Sequence, residues 1–181
     1  MSVRLGKQEW VDAGLRTLAG QGIDAVRVER LAADLKVTKG SFYWHFADRQ
    51  ALLVAIVEAW KERSTLEVIQ RVEVQGGDDP GARLWALMQI VFSSDGRLDQ
   101  QVRAWAAIDS LVRRSRDHID RLRLEYVRSH FEQLGFGPAE AEARARFCYQ
   151  ALIGQFALGR PVQSQGDKAQ LRMLFEMLTR A

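Results

Sequence analysis

Residues 27 to 49 read RVERLAADLKVTKGSFYWHFADR. Leu31, Ala32 and Leu35 recur at helical spacing, Lys36 and Val37 interrupt the pattern, and Thr38 stands where a hydroxyl caps a second helix. In that second helix Phe42 and Phe46 are four residues apart and share one face. At ~100° per residue, Gly40, Ser41 and Trp44 fall opposite the two Phe, with Tyr43 and His45 on the flanks. Two short helices joined by a tight turn make a helix-turn-helix. A helix that buries two Phe and turns Ser, Tyr, Trp and His outward presents donors and flat rings of the kind the DNA major groove receives. An amphipathic core helix with incidental surface aromatics is the bland alternative, and the order of the flanking residues argues against it.

Working outward, a first helix is predicted over Arg4 to Ala19, where Trp10, Val11, Gly14, Leu15 and Leu18 form one stripe before Gln21 and Gly22 break it. Its apolar face closes over Ile23, Val26, Leu31, Phe42 and Phe46. A long helix follows from Asp48, its cap, to about Val74, with Leu52, Leu53, Ile56, Val57 and Trp60 packing on the head. Gly76 to Pro80 is the clearest break in the chain, and Pro80 suits the first turn of the next helix. Leu84, Leu87, Met88 and Val91 make a face there. Further patterns follow Ser93 to Gly96: a short helix with Leu98, Val102, Trp105 and Ala106, a longer one over Leu111 to Leu134, then Ala139 to Leu158 and Lys168 to Arg180. Strand-like alternation is nowhere sustained, so the expected fold is all-α with about nine helices. The expected division is a helix-turn-helix head over residues 1–50 and a larger helical body over 51–181.

Composition narrows the classes further. A chain of 181 residues with 47% apolar and 27% charged residues can bury a core and is not disordered. The net charge is only +3, and residues 1 to 50 carry 8 Lys/Arg against 6 Asp/Glu. Attraction to DNA must therefore come from where charge is placed, not from its amount. A single cysteine, Cys148, rules out an intrachain disulfide and a cysteine-ligated zinc cluster. No apolar run approaches the ~18 residues of a membrane span and no secretory leader is visible, so a cytoplasmic protein is expected.

LAADLKVTKGSFYWHFADRQALL, residues 31 to 53, resembles the TetR family of bacterial transcriptional repressors: an LA pair, a small turn, a capped recognition helix with Y-x-H-F, and a basic residue opening the next helix. The Tyr43-Trp44-His45 triplet is similar to the tetracycline-repressor branch. The resemblance runs from about Arg4 to Trp60 and is weak beyond. It implies that Thr38 caps the recognition helix, that Tyr43, His45 and Arg49 meet phosphates, and that Lys39, Gly40, Ser41 and Trp44 meet base edges. A helix N-terminus and a nearby Arg suit phosphate, and Gly40 lets backbone come close. Lys39 lies nearer the Phe side of the wheel. Two positions depart from the family pattern. Lys36 stands where Gly is common, at a left-handed cost of ~1 kcal/mol. Arg27 replaces a capping Ser or Thr, which loses a capping oxygen and gains a cation for a phosphate; both readings stay open.

In the body, Trp85, Met88, Phe92, Trp105, Tyr126 and Phe147 are candidates to line a small-molecule cavity; each taken singly reads as core first, and only their number in so small a body points to a pocket. Gln89, Asp109, Gln150 and Gln155 are polar neighbours able to orient a ligand or simply to face solvent. Ala143, Phe147, Ala151, Gly154 and Leu158 form a face with room for close approach, and the last helix adds a Leu/Phe stripe. Such a pair is best buried against its own copy about a two-fold axis. The expected partners are therefore double-stranded operator DNA, a second copy as homodimer, and a small-molecule effector, with no membrane and no cofactor. Catalysis is not expected: Asp117, His118 and Asp120 diverge on a helix, and no phosphate loop, nucleophile elbow or HExxH accompanies them. The rival reading is a helical ligand-binding or adaptor protein that has lost DNA binding.

Overall fold

The computed structural model describes residues 5–180, and among them every regular element is helical. In chain order these are α1 (Lys7–Gln21), a 3-10 turn (Ile23–Ala25), α2 (Val28–Asp34), α3 (Lys39–Tyr43), α4 (Arg49–Lys61), a π-helical stretch (Glu62–Leu66), α5 (Glu67–Gly76), α6 (Pro80–Phe92), α7 (Arg97–Ile108), α8 (Ser110–Gln133), α9 (Pro138–Leu158) and α10 (Gln165–Thr179). Since α4, the π stretch and α5 form one unbroken helical run, the described residues hold nine helices, as the apolar periodicity predicts. The predicted start of the first helix at Arg4 lies outside the described residues.

The chain forms two compact units. The first holds the residues up to Arg63 together with Arg97–Arg116; the second holds Ser64–Gly96 and the chain from Asp117 onward. In the first, α1 contributes Trp10, Val11, Leu15 and Leu18 to a core shared with Val26, Leu31, Phe42, Phe46, Leu52, Leu53, Ile56, Val57 and Trp60. These are the residues whose spacing marked stripes in the sequence. Trp10 meets the Phe42 ring edge-on at 5.2 Å, and Phe46 stacks on Phe42 at 5.4 Å. Aromatic pairs in these geometries add to the area they bury. From α7, Val102, Trp105 and Ala106 are buried in the same unit.

The second unit has its own core: Val72 of α5, Leu84, Leu87, Met88 and Phe92 of α6, Val127 and Phe131 of α8, Ala141, Ala145, Cys148, Leu152 and Phe156 of α9, and Leu171 and Leu178 of α10. Small residues on the inner stripe of α9 let the helices approach closely. The carbonyl of Phe92 closes α6 by accepting from Val162 N at 2.8 Å and from Gln155 Nε2 at 2.8 Å.

Most helix ends are where the capping residues put them. Asp48 Oδ1 accepts from Ala51 N at 2.8 Å, and Asp79 accepts from Gly81 N at 2.9 Å with Pro80 in the first turn. The last helix begins three residues before the predicted Lys168. Its start is set by a capping box in which Ser164 Oγ accepts from Asp167 N at 3.1 Å while the Asp167 carboxylate accepts from Ser164 N at 2.9 Å. The predicted Thr38 cap differs as well. Thr38 occupies the N-cap position of α3 with extended backbone, but its side chain makes no capping hydrogen bond.

Candidate nucleic-acid interface

The turn between α2 and α3 is built on Lys36, whose φ of 57° is left-handed. The departure noted in the sequence is therefore a conformational one: a side chain stands where glycine avoids the steric cost. Val37 N donates to Ala32 O at 2.9 Å and closes the turn. α3 itself is short. Trp44 and His45 continue in a turn, and Phe46 N still donates to Phe42 O at 3.0 Å, which keeps both Phe on the buried side.

With Phe42 and Phe46 inside, the opposite surface is as the helical wheel places it. Tyr43 is 61% and Trp44 84% exposed, while Thr38, Lys39 and Gly40 are exposed and Ser41 is half-buried. A Cβ added to Gly40 would meet only Thr38 Oγ1, at 3.6 Å, so the outer side of the α3 N-terminus is open to a close approach. An exposed Trp of this kind costs solubility and gains nothing within the folded monomer, which makes it the residue here most in want of a partner.

Other candidate side chains have partners inside the head. Lys39 Nζ pairs with Glu29 of α2 at 2.6 Å, and that ammonium holds the Glu29 carboxyl below its ordinary range. His45 Nε2 lies 2.8 Å from Leu5 O; a carbonyl only accepts, so Nε2 carries the proton. The remaining Nδ1 then donates to a phosphate only in the imidazolium form. Arg49 donates from Nε to Val26 O at 2.6 Å and from Nη2 to Ile23 O at 3.1 Å, clamping the start of α4 to the segment before α2. Arg27 is exposed at the N-cap of α2, makes no cap bond, and donates from Nε to Asp24 O at 2.8 Å. Sequence reasoning identified these residues for DNA and missed that Arg49 and His45 also hold the head together. The signal would have been their nearness in space to the carbonyls of Leu5, Ile23 and Val26, which no linear pattern carries.

The body candidates divide. Trp85, Met88, Phe92 and Tyr126 belong to the second unit: Met88 and Phe92 are buried in its core, and Trp85 and Tyr126 pack half-buried against it. Trp105 is buried in the first unit. Phe147 is 57% exposed on the outer side of α9 and lies in neither interior, so the six candidates do not line one cavity. Two of the polar neighbours have structural work. Asp109 caps α8 by accepting from Leu111 N at 2.8 Å, and Gln155 donates to Phe92 O. Sequence reasoning also passed over a polar group inside the second unit, in which Tyr126 Oη donates to Glu73 Oε1 at 2.7 Å and Arg83 pairs with Glu73 Oε2 at 3.1 Å. Burial, aided by the Glu73 carboxylate, raises the Tyr126 phenol above its ordinary range.

Among the described residues no cluster of three or more His, Cys, Asp or Glu is placed to hold a metal ion, and no helix is long and apolar enough to cross a membrane. Residues 11–56 match the family described as "Bacterial regulatory proteins, tetR family". The chain is 41% identical over 63 residues to the tetracycline repressor protein class G of Vibrio anguillarum, an alignment covering 34% of this chain and 30% of that one. It is 27% identical over 118 residues to the HTH-type transcriptional regulator BetI of Rhizobium meliloti, covering 65% and 57%. These matches thus span well under two thirds of both relatives. Among solved structures, AibR in complex with isovaleryl coenzyme A and operator DNA superposes with a TM-score of 0.72 at 18% identity over 98% of each chain. A putative TetR-family regulator from Rhodococcus sp. gives 0.70 at 16% identity over 96% of this chain and 98% of its own. At such identities the structures speak for the fold, and the helix-turn-helix speaks for the lineage. Residues 11–56 thus form a head of the TetR type, and the described residues share the fold of solved TetR-family regulators.

Proposed function

We propose that this chain is a cytoplasmic transcriptional repressor that binds a roughly palindromic operator as a homodimer and leaves it when a small molecule occupies the body. Residues 1–50 are the DNA-reading part and residues 51–181 the part that dimerises and senses. The observation that carries this reading is the outward surface of α3, where Tyr43 and Trp44 stand exposed above a core of two buried Phe. Ser41, Gly40, Lys39 and Trp44 are assigned to base edges. Thr38, Tyr43, His45, Arg49 and Arg27 are assigned to phosphates, Arg49 through the Nη1 left over from its clamp.

Dimerisation is supported by the outer side of α9 and α10. Phe147 is 57%, Leu158 71%, Met173 63% and Met177 73% exposed, with Ala143 and Gly154 also open. Exposed apolar side chains on these two helices, with small residues between those of α9, fit a self-complementary two-fold contact. Effector release is supported by the packing of Trp85, Met88, Phe92 and Tyr126 in one unit and by the likeness to a fold neighbour solved with both an acyl-coenzyme A and operator DNA. Moving such a population from 99:1 to 1:99 takes about 5.5 kcal/mol of differential binding.

A second reading, an adaptor that no longer reads DNA, draws on the low net charge of +3 and on the Lys39–Glu29 pair, which neutralises a cation on α3. Selection and sequencing of random DNA fragments on the purified protein separates the two. The repressor reading expects a palindrome whose half-sites lie about 34–36 Å apart and whose sequence preference changes in Trp44→Ala. Fragments with no shared motif would leave the adaptor.

A further inference from the structure

One side chain in the second unit has a polar atom that the fold does not use. His130 of α8 is 2% exposed, and its Nδ1 lies 2.7 Å from the carbonyl of Tyr126, one turn earlier on the same helix. Because a carbonyl can only accept, Nδ1 carries the proton and Nε2 presents a bare lone pair. The two ring nitrogens point in nearly opposite directions, so a ring whose Nδ1 turns back to its own helix aims Nε2 away from α8. Among the described residues no hydrogen-bond partner reaches that Nε2. Buried polar atoms of folded proteins are satisfied in the great majority of cases, so an orphan acceptor in a packed core asks for a donor from elsewhere.

The surroundings say what kind of donor. The nearest charges cancel: the Glu73 carboxylate accepts from Tyr126 Oη at 2.7 Å and pairs with Arg83 at 3.1 Å. The Tyr126 ring stands edge-on to the His130 ring with centroids 4.5 Å apart, so the histidine adjoins this neutralised pair. The buried core of the same unit holds Val72, Leu84, Met88, Val127 and Phe131, all apolar. Burial also lowers the His130 pKa from its ordinary value, which keeps the ring neutral and its lone pair available. An ion entering here would find no opposite charge left to meet, and a pure hydrocarbon would leave Nε2 unsatisfied.

We propose that His130 Nε2 is the hydrogen-bond acceptor of an effector subsite formed by α5, α6 and α8, and that it selects an uncharged, largely apolar molecule carrying an O–H or N–H donor. This rests on the reading of the body as an effector-binding part, and it assigns that part a chemical preference. Tyr126 and Glu73 position the ring, and Arg83 holds Glu73.

Paired probes test it on the full-length protein: indole against 1-methylindole, phenol against anisole, and cyclohexanol against its methyl ether. Each methylated partner lacks the donor and carries one extra methyl group, whose bulk is controlled for by the His130 variants. At least one donor should bind about tenfold tighter than its methylated partner, the ratio that one good hydrogen bond gives. On binding it should move the Nε2 resonance of His130 in nitrogen-15 NMR away from that of a bare lone pair. His130→Phe should erase the preference, and His130→Gln, whose amide oxygen reaches the place of Nε2, should restore part of it. Equal binding within every pair, a preference that survives His130→Phe, or an unmoved Nε2 resonance would overturn the assignment. If His130→Phe fails to fold, the wild-type resonance decides alone. A donor that moves Nε2 but leaves operator affinity unchanged keeps the subsite and sinks the effector reading. Operator release that ignores the donor does the reverse.

Discussion

Lys36 holds φ at 57° in the turn that aims α3, and no other non-glycine among the described residues has a positive φ. Its side chain is exposed, so a replacement loses no packing. Lys36→Gly should therefore relieve left-handed strain, offset in part by the looser unfolded chain, for a net gain of about 0.5–1 kcal/mol. Thermal unfolding should register this as a midpoint raised by roughly 1–4 °C; a fall would mean that the lysine makes an interaction worth more than the strain. Arg49 is the opposite case, because it has two jobs. Removing its bonds to Val26 and Ile23 carbonyls in Arg49→Ala should cost about 1–2 kcal/mol. If Nη1 also meets a phosphate, the salt slope of DNA binding should fall by about one. A lower midpoint with an unchanged slope would confine Arg49 to holding the head. These two residues show what was readable at this scale. Lys36 announced its strain because a turn position has a preferred residue type. The clamp made by Arg49 was invisible because its acceptors lie 23 and 26 residues away.

Helices were legible where a stripe of apolar residues met a start signal, as at the Asp48 cap and at Pro80. Periodicity finds a stripe but does not say which of two stripes is buried. In α9 the inner one is Ala141, Ala145, Cys148, Leu152 and Phe156, and the outer one holds Ala143, Phe147, Gly154 and Leu158. Phe147 therefore looked equally fit for a cavity and for an interface, and only its exposure separates the two. The inner stripe also fixes how α9 meets the end of α6. Gly96 has φ of 64°, and a Cβ there would fall 2.2 Å from the Phe156 ring. Gly96→Ala combines backbone strain with overpacking and should lower stability by about 2–4 kcal/mol. Denaturant titration that found less than about 1 kcal/mol would show that Phe156 swings aside at little cost.

For the whole molecule, the decisive question is whether the outer side of α9 and α10 is covered. Phe147→Glu places a charge on the patch that the proposed two-fold contact buries, while the inner core of α9 is untouched. Sedimentation should then find monomer where the parent protein is dimer. Operator affinity should fall by about 10²–10⁴-fold, because each head binds without the effective concentration supplied by its twin. An unchanged sedimentation profile would remove this patch from the interface. Unfolding of the variant monitored alongside separates loss of association from loss of fold.

The π-helical stretch Glu62–Leu66 bears on the history of the chain. A π turn is what an α-helix forms when it accommodates one additional residue. The buried positions slip at this point: Trp60 is followed by Thr65, five residues on, where the preceding buried pairs Leu52–Ile56, Leu53–Val57 and Ile56–Trp60 are four apart. Arg123 then takes up what the wider turn leaves over, donating to Ser64 O at 3.0 Å and Thr65 Oγ1 at 3.0 Å. A single-codon deletion inside this stretch, at Glu62 for instance, restores ordinary spacing and returns every later side chain to its own face. The same deletion within Arg49–Lys61 would turn the side chains between it and the π stretch by about 100°, out of the faces they now bury. Along this helix, length is negotiable at one place only.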